Sequence, residues 1–143
     1  MTPLLKPAVR MLCAVGLAVG LAACGTTVST ASFKGEQREV AQAISNLQTD
    51  VKAADQQKVC ANDLAGPVVA RLNAAPGGCK QVLKGQLTEI DNADATVESV
   101  QITKSTGKRT ATAHVKSTYN GKKVLKTVSL VYEGGKWRVL SVA

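Results

Sequence analysis

Two glycine dipeptides in the C-terminal half, Asn120-Gly121 and Gly134-Gly135, restrict the possible folds more than any other feature of the chain. Such pairs are favoured in the two-residue turns that join antiparallel strands. Around them apolar and polar residues alternate, which is the period of a half-buried strand. The sequence therefore predicts a four-stranded antiparallel meander, with strands at 96–104, 109–119, 123–133 and 136–142.

The two turns also predict the register of the sheet, because a two-residue turn pairs the residues that flank it. Tyr119 should pair with Lys122, and Tyr132 should then lie opposite Trp137. One face of the sheet collects apolar residues and should pack on helices: Ala111, Ala113, Val115, Val128, Leu130, Tyr132, Trp137 and Val139. The other face is more polar but carries four aliphatic side chains: Leu125, Val131, Leu140 and Val142.

Three helical segments are predicted before the strands. In residues 36–54 apolar residues recur at spacings of three and four, which places them on one face of a helix. A second segment covers 56–74 and should be interrupted at Gly66-Pro67, since proline fits a first helical turn but not an interior. A third helix is expected over 79–90, after a Pro-Gly-Gly breaker. The fold class is therefore α+β.

The first 23 residues have the pattern of an export signal. Lys6 and Arg10 precede an uncharged apolar run, Met11 to Ala23, whose helix would reach only about 20 Å and is too short to span a bilayer. The run ends in Leu21-Ala22-Ala23-Cys24, which resembles the lipobox of bacterial lipoprotein precursors. That resemblance implies cleavage after residue 23 and a lipid on the Cys24 sulfur. An ordinary secretory signal and a short anchor helix are the alternatives.

Export determines how the remaining cysteines are interpreted. Cys13 would leave with the signal and Cys24 would carry lipid, so Cys60 and Cys79 remain in an oxidising compartment. Two cysteines and one distant histidine are too few ligands for a typical metal site, and the spacing is not the C-x-x-C of a redox pair. We expect a structural disulfide, in a domain of residues 36–143 joined by a tether at 24–35 to the membrane.

The order of helices and strands resembles the cystatin-like α+β roll of the nuclear transport factor 2-like and ketosteroid-isomerase-like superfamily. Within it the chain is similar to small exported bacterial proteins of unknown role. The resemblance rests on KAADQQKVCANDL (52–64), GGCKQVL (77–83) and EGGKWRVLSV (133–142). It implies a curved sheet wrapped around a long helix, which can enclose a cone-shaped pocket. Active members of that superfamily place an acidic base and hydrogen-bond donors there.

Few residues of this chain fit such chemistry. His114 is the single histidine and falls on the more polar strand face. Tyr119 lies beside a turn, and Tyr132 and Trp137 form a cross-strand pair that is typical of core packing. Tyr119, Tyr132 and Trp137 are therefore the candidate residues of a ligand pocket. No strand places a carboxylate on the inward face, and no nucleophile–base pair or phosphate-binding loop is found. We therefore expect no catalysis and no cofactor.

Charge is distributed unevenly along the chain. Residues 104–143 contain nine basic residues and one acidic residue, whereas residues 25–103 contain seven basic and nine acidic. The excess of basic residues in 104–143 has two interpretations. It is a solvated sheet surface without a binding role, or it attracts anionic lipid headgroups or cell-wall polymers. Nucleic acid is disfavoured by export and by the lack of a stacking platform. The candidate contact residues are Lys108, Arg109, Lys122, Lys123 and Lys136.

Together these features predict a lipid-anchored protein on the extracytoplasmic side of a bacterial membrane. It would bind a small apolar ligand or another envelope component without catalysis. The alternative is an isomerase-like or hydrolase-like enzyme that uses the cone-shaped pocket. A buried carboxylate near Tyr119 or His114 would favour that alternative.

Overall fold

The computed structural model describes residues 30, 32–87, 94–119 and 121–143. The predicted signal, Cys24 and most of the predicted tether lie outside these residues. The chain has the α+β class expected from its sequence: helices first, then a four-stranded antiparallel open sheet in the order β1-β2-β3-β4. No helix in the described ranges has the length and apolar character needed to cross a membrane.

The helices match the predicted segments with shifted boundaries. Helix α1 covers Gly35–Lys52 and stops two residues before the predicted end, because Ala54 adopts a left-handed backbone conformation with φ of 51°. The second segment is divided as expected: a single turn, α2 (Gln56–Lys58), continues into a π-helical segment (Val59–Asp63), and α3 (Gly66–Asn73) then begins with Pro67 in its first turn. Helix α4 covers Gly78–Leu87.

The strands are β1 (Asp94–Ser105), β2 (Lys108–Tyr119), β3 (Lys122–Glu133) and β4 (Lys136–Val142). The predicted register between β2 and β3 is confirmed along its whole length, with Ala113 opposite Val128. The first part of the β3–β4 register is confirmed as well, with Tyr132 opposite Trp137 and Leu130 opposite Val139.

Two bulges depart from the strict alternation that the sequence suggested. In β1 the register shifts between Val97 and Ser99, so Glu98 is the extra residue and both Val97 and Val100 are buried. In β4 the shift leaves Leu140 as the extra residue, and Val142 pairs with Val128. Directly opposed residues share a face. Our placement of Val142 on the polar face was therefore wrong.

The core is mostly aliphatic, because the chain has only four aromatic residues, and Trp137 is the buried aromatic residue of the described ranges. One cluster joins α1 to the inner face of the sheet and includes Val40, Ile44, Ala113 and Leu130, each at most 5% exposed. A smaller cluster lies among the short helices and contains Val59, Leu83 and the two cysteines. The Cys60 and Cys79 sulfurs are 2.03 Å apart, so the predicted disulfide is confirmed.

A backbone contact places the π-helical segment beside the sheet. Leu64 forms an isolated parallel bridge with Val139, and the Ala65 N–H donates to the Val139 carbonyl at 2.8 Å. The Arg138 guanidinium donates to the carbonyls of Ala61 (2.8 Å) and Leu64 (3.3 Å). Residues 61–65 are thereby held along the outer edge of β4, which leaves a cleft between this segment, α1 and the β3–β4 turn.

Candidate functional site

The cleft has a volume of about 700 Å³ and three walls. Helix α1 supplies the long wall, the end of the π-helical segment supplies the second, and the β3–β4 turn with the start of β4 supplies the third. The side chains that could contact a ligand are mostly polar. The lining residues are Gly35, Arg38, Glu39, Gln42, Ala43, Asn46, Asn62, Asp63, Gly135, Lys136 and Trp137.

Asp63 is the buried carboxylate of the cleft. Asp63 is the last residue of the π-helical segment, and it is 7% exposed. Its carboxyl lies within hydrogen-bond reach of the Asp50 carboxylate, while its Oδ2 accepts no hydrogen bond from a donor of the described residues. Burial raises the pKa of Asp63 to about 7 because desolvation disfavours the charged form, and the nearby Asp50 carboxylate adds to this effect. Lys136 and Arg138 oppose the increase. Near neutral pH the group is therefore divided between an acid and its conjugate base.

Trp137 brings a second buried polar atom to the same cleft. The residue is 4% exposed, and its indole Nε1 has no hydrogen-bond partner within the described part of the chain. Its ring packs edge-on against Tyr132, with ring centres 5.4 Å apart and planes at 74°. The Tyr132 hydroxyl donates to the Gly135 carbonyl at 3.0 Å, which fixes the tyrosine against the β3–β4 turn. The pair thus orients the indole while leaving its N–H unused.

The rim of the cleft combines amides with balanced charges. The Lys136 ammonium donates to Asn62 Oδ1 at 2.8 Å, and the Gln42 amide donates to Asn46 Oδ1 at 3.0 Å. Arg38 and Glu39 contribute one charge of each sign. A cleft with these groups offers many donors and acceptors but little net attraction for an ion.

The predicted pocket residues have different locations. Trp137 lines the cleft, whereas Tyr132 supports it from behind and does not line it. The side chain of Tyr119 lies outside the described part of the structure. His114 pairs with Thr127 and is half-buried; its neighbours Ala113 and Val115 are buried on the helix-facing side, so the imidazole lies on the opposite face of the sheet from the cleft.

The predicted basic residues do not form one patch. Lys108, Arg109 and Lys136 lie at the end of the sheet that carries the β1–β2 and β3–β4 turns, and Lys122 and Lys123 lie at the opposite end. Arg109 is also engaged within the fold. Its guanidinium bonds Glu36 Oε1 at 2.7 Å and lies 3.5 Å from the centre of the Tyr132 ring.

Sequence reasoning missed Asp63, although a signal was present. Val59 is an apolar residue of the second helical segment, and Asp63 follows it by four residues, which places both on the same side of a helix. A carboxylate on an apolar face indicates a buried acid. Its proximity to Trp137 depends on residues 61–65 running along β4, which no local pattern predicts.

Neither a metal site nor a similar known protein helps to assign a function to the cleft. Within the described ranges no group of three or more histidine, cysteine, aspartate or glutamate residues could hold a metal ion. No protein-family model matches the chain, and no curated protein matches it.

Proposed function

We propose that this chain is a lipid-anchored binding protein of the bacterial cell envelope, and that its cleft binds a small, neutral, hydroxyl-rich ligand without chemical conversion. The anchor is supported by the signal pattern that ends at Cys24. The Cys60–Cys79 disulfide supports an oxidising compartment. Helix α1 lies on one face of the sheet, which supports the cystatin-like roll as the finer description of the fold.

The nature of the ligand follows from the lining of the cleft. From the sequence we expected a small apolar ligand or another envelope component, but amide and charged side chains dominate the walls of the cleft. The cations Arg38 and Lys136 are balanced by Glu39 and by the partly ionised Asp63. Since this balance favours neither an anion nor a cation, a neutral molecule with several hydroxyl groups is the best fit, and the cleft volume is within the range of ordinary ligand sites.

The observation that carries the proposal is the pair of unsatisfied buried atoms, Asp63 Oδ2 and Trp137 Nε1. Leaving a polar group buried without a partner costs about 1–3 kcal/mol. A hydroxyl group can donate to the carboxylate and accept from the indole N–H. Both atoms are closed to solvent in this structure, so the neighbouring side chains have to move before a ligand reaches them. A ligand with two or more hydroxyls that reached both atoms would satisfy them and recover this cost on binding.

Trp137 is the single tryptophan of the chain, so its fluorescence reports directly on the cleft. The experiment uses a soluble form that starts at Gly25. This form retains both hydrophobic clusters, the disulfide and all strand pairs, which lie between residues 32 and 143. Glucose, N-acetylglucosamine and inositol are titrated as neutral probes, with lauric acid as the apolar probe.

We expect a saturable fluorescence change with at least one neutral probe, and a loss of that change in Asp63→Ala. Glu98→Gln is the matched control, because Glu98 is exposed on β1 away from the cleft. A saturable response to lauric acid alone, or no response to any probe by fluorescence and by NMR chemical shifts, would overturn the proposal.

Asp63 also favours a second candidate, an enzyme that uses this carboxylate as a general acid or base. A pKa of about 7 in a cleft is suited to proton transfer at neutral pH. The test is to incubate an envelope extract with the soluble form or with Asp63→Asn and to compare small molecules by mass spectrometry. A compound that disappears catalytically only with the unaltered protein would establish the enzyme and exclude a purely binding role.

A further inference from the structure

We propose that the tip of the β2–β3 hairpin is a second functional site, which binds the surface of an anionic phospholipid bilayer. The tip is defined here as Lys122, Lys123, Leu125 and Lys126. It is distinct from the cleft, which lies at the other end of the sheet.

The hairpin tip extends beyond its neighbour β4. Strand β4 pairs with β3 from Glu133 down to Val128, and the last contact is a pair of hydrogen bonds between Thr127 and Ala143, each at 2.9 Å. Residues 122–126 pair with β2 on one side only within the described part of the chain. The side chains of the tip are therefore open to a large flat partner.

The lysines of the tip differ from most other cations of the sheet. Lys104 and Arg109 are paired with Glu36, and Lys116 is paired with Glu98. Lys122, Lys123 and Lys126 are exposed, and none of them pairs with an acidic side chain of the described residues. Their charge is thus available to an external anion, and each lysine near an anionic membrane strengthens binding by about fivefold.

Leu125 distinguishes a bilayer from an anionic polymer as the partner. The residue is 60% exposed, more than any other large hydrophobic residue in the described ranges. Lys123 lies two positions before it on the same face of the strand, whereas Lys122 and Lys126 lie on the other face of the hairpin. A bilayer offers phosphates to the lysines and an apolar boundary to the leucine. A hydrated polymer would satisfy only the lysines.

The proposed lipid anchor would cooperate with the tip and set the orientation of the domain. Glu36, at the start of α1, contacts Lys104 and Arg109 beside the β1–β2 turn, so the tether enters at the end of the sheet opposite the tip. The strands between these ends are 12 residues long, about 40 Å. The eleven residues from Cys24 to Lys34 reach about 36–40 Å at most. Because the tip residues lie on both faces of the hairpin, they meet a bilayer together when the tip points toward it. The tether is about as long as the strands, so it reaches the same bilayer when nearly extended.

The test removes the anchor, so that a failure of the lipoprotein proposal does not affect it. The soluble form is mixed with phosphatidylcholine vesicles, with and without one-third phosphatidylglycerol, and bound protein is measured by sedimentation. We expect binding only to the anionic vesicles and weaker binding at high salt, since salt screens exposed charges. The variant Lys122→Gln/Lys123→Gln/Lys126→Gln should bind at least about thirtyfold more weakly, and Leu125→Ala several-fold more weakly.

The matched control removes the same charge elsewhere, in Lys34→Gln/Lys80→Gln/Lys108→Gln, and should bind within about threefold of the unaltered protein. Circular dichroism and urea midpoints establish that each variant is folded. Equal losses in the two triple variants, or binding that is unaffected by Leu125→Ala, would overturn the proposal. So would binding to isolated cell wall without binding to anionic vesicles.

Discussion

The guanidinium carbon of Arg109 lies 3.5 Å from the centre of the Tyr132 ring while one of its nitrogens bonds Glu36 at 2.7 Å. This arrangement links the first turn of α1 to β2 and to the aromatic pair that supports the cleft. Arg109 thus acts in packing, in contrast to the unpaired lysines of the hairpin tip.

Replacing Arg109 with glutamine should therefore separate stability from membrane binding. The variant loses an ion pair and a cation–π contact, so we expect a lower melting temperature. Vesicle binding should change by no more than about threefold, because this charge is already partnered and lies far from the tip. Lys123→Gln is the comparison variant, with the opposite pattern. Arg109→Gln that binds vesicles as weakly as the triple tip variant would contradict this assignment.

Two leucines of β3 provide a test of the core. Leu130 is 1% exposed on the inner face of the sheet, and Leu125 is 60% exposed. Leu130→Ala should lower the free energy of unfolding by about 2–5 kcal/mol, because it leaves a cavity between α1 and the sheet. Leu125→Ala should change it by less than about 0.5 kcal/mol. Urea denaturation of both variants provides the measurement, and similar losses would contradict the described packing.

The disulfide should contribute strongly to the stability of the region between α2 and α4. Cys60 and Cys79 are 19 positions apart, and closing such a loop stabilises a fold by on the order of 3 kcal/mol. The double variant Cys60→Ala/Cys79→Ala should lose about that amount in urea denaturation. Reductant should destabilise the unaltered protein to a similar extent and leave the double variant unchanged. If reductant also destabilised the double variant, the loss of stability would not come from reduction of the Cys60–Cys79 disulfide.

Asp63 should make the fold less stable as the pH rises. Its pKa is about 7 in the folded state against 3.8 for an ordinary aspartate, so the folded protein holds the proton more tightly than the unfolded chain. The resulting stability is present below pH 4 and is lost between about pH 4 and 7, by up to about 1.4 kcal/mol per pH unit.

Asp63→Asn removes this ionisation and should be more stable than the unaltered protein at pH 8 but not at pH 4. The measurement is the free energy of unfolding of both proteins across that range. A ¹³C titration of the Asp63 carboxyl provides an independent value. A stability difference between the two proteins that does not vary with pH would show that Asp63 titrates normally.

The sheet was largely predictable because its signals are local. Asn120-Gly121 and Gly134-Gly135 determine two turns, and a two-residue turn leaves no freedom in the register next to it. The bulges were not predictable from these signals. Val97 and Ile102 are an odd number of positions apart yet both pack toward the core, and only an extra residue at Glu98 reconciles them.

The cleft was less predictable because its walls are far apart in the sequence. Trp137 could be named in advance as an inward aromatic residue, but nothing local indicates that its indole N–H lacks a partner. Asp63 joins it only because Arg138 and Val139 hold residues 61–65 along β4. The site thus depends on tertiary contacts, whereas the strands depend on residues adjacent in the sequence.

The overhang of β3 beyond β4 also bears on self-association. Residues 122–126 present a row of backbone amides and carbonyls to which a strand from another molecule could add, and such edges promote aggregation unless they are guarded. Lysine commonly protects such an edge, because a second copy that paired there would place its own lysines beside these and the like charges would repel. The positive charge at this edge therefore also keeps copies of the molecule from pairing edge to edge, most of all where they are crowded.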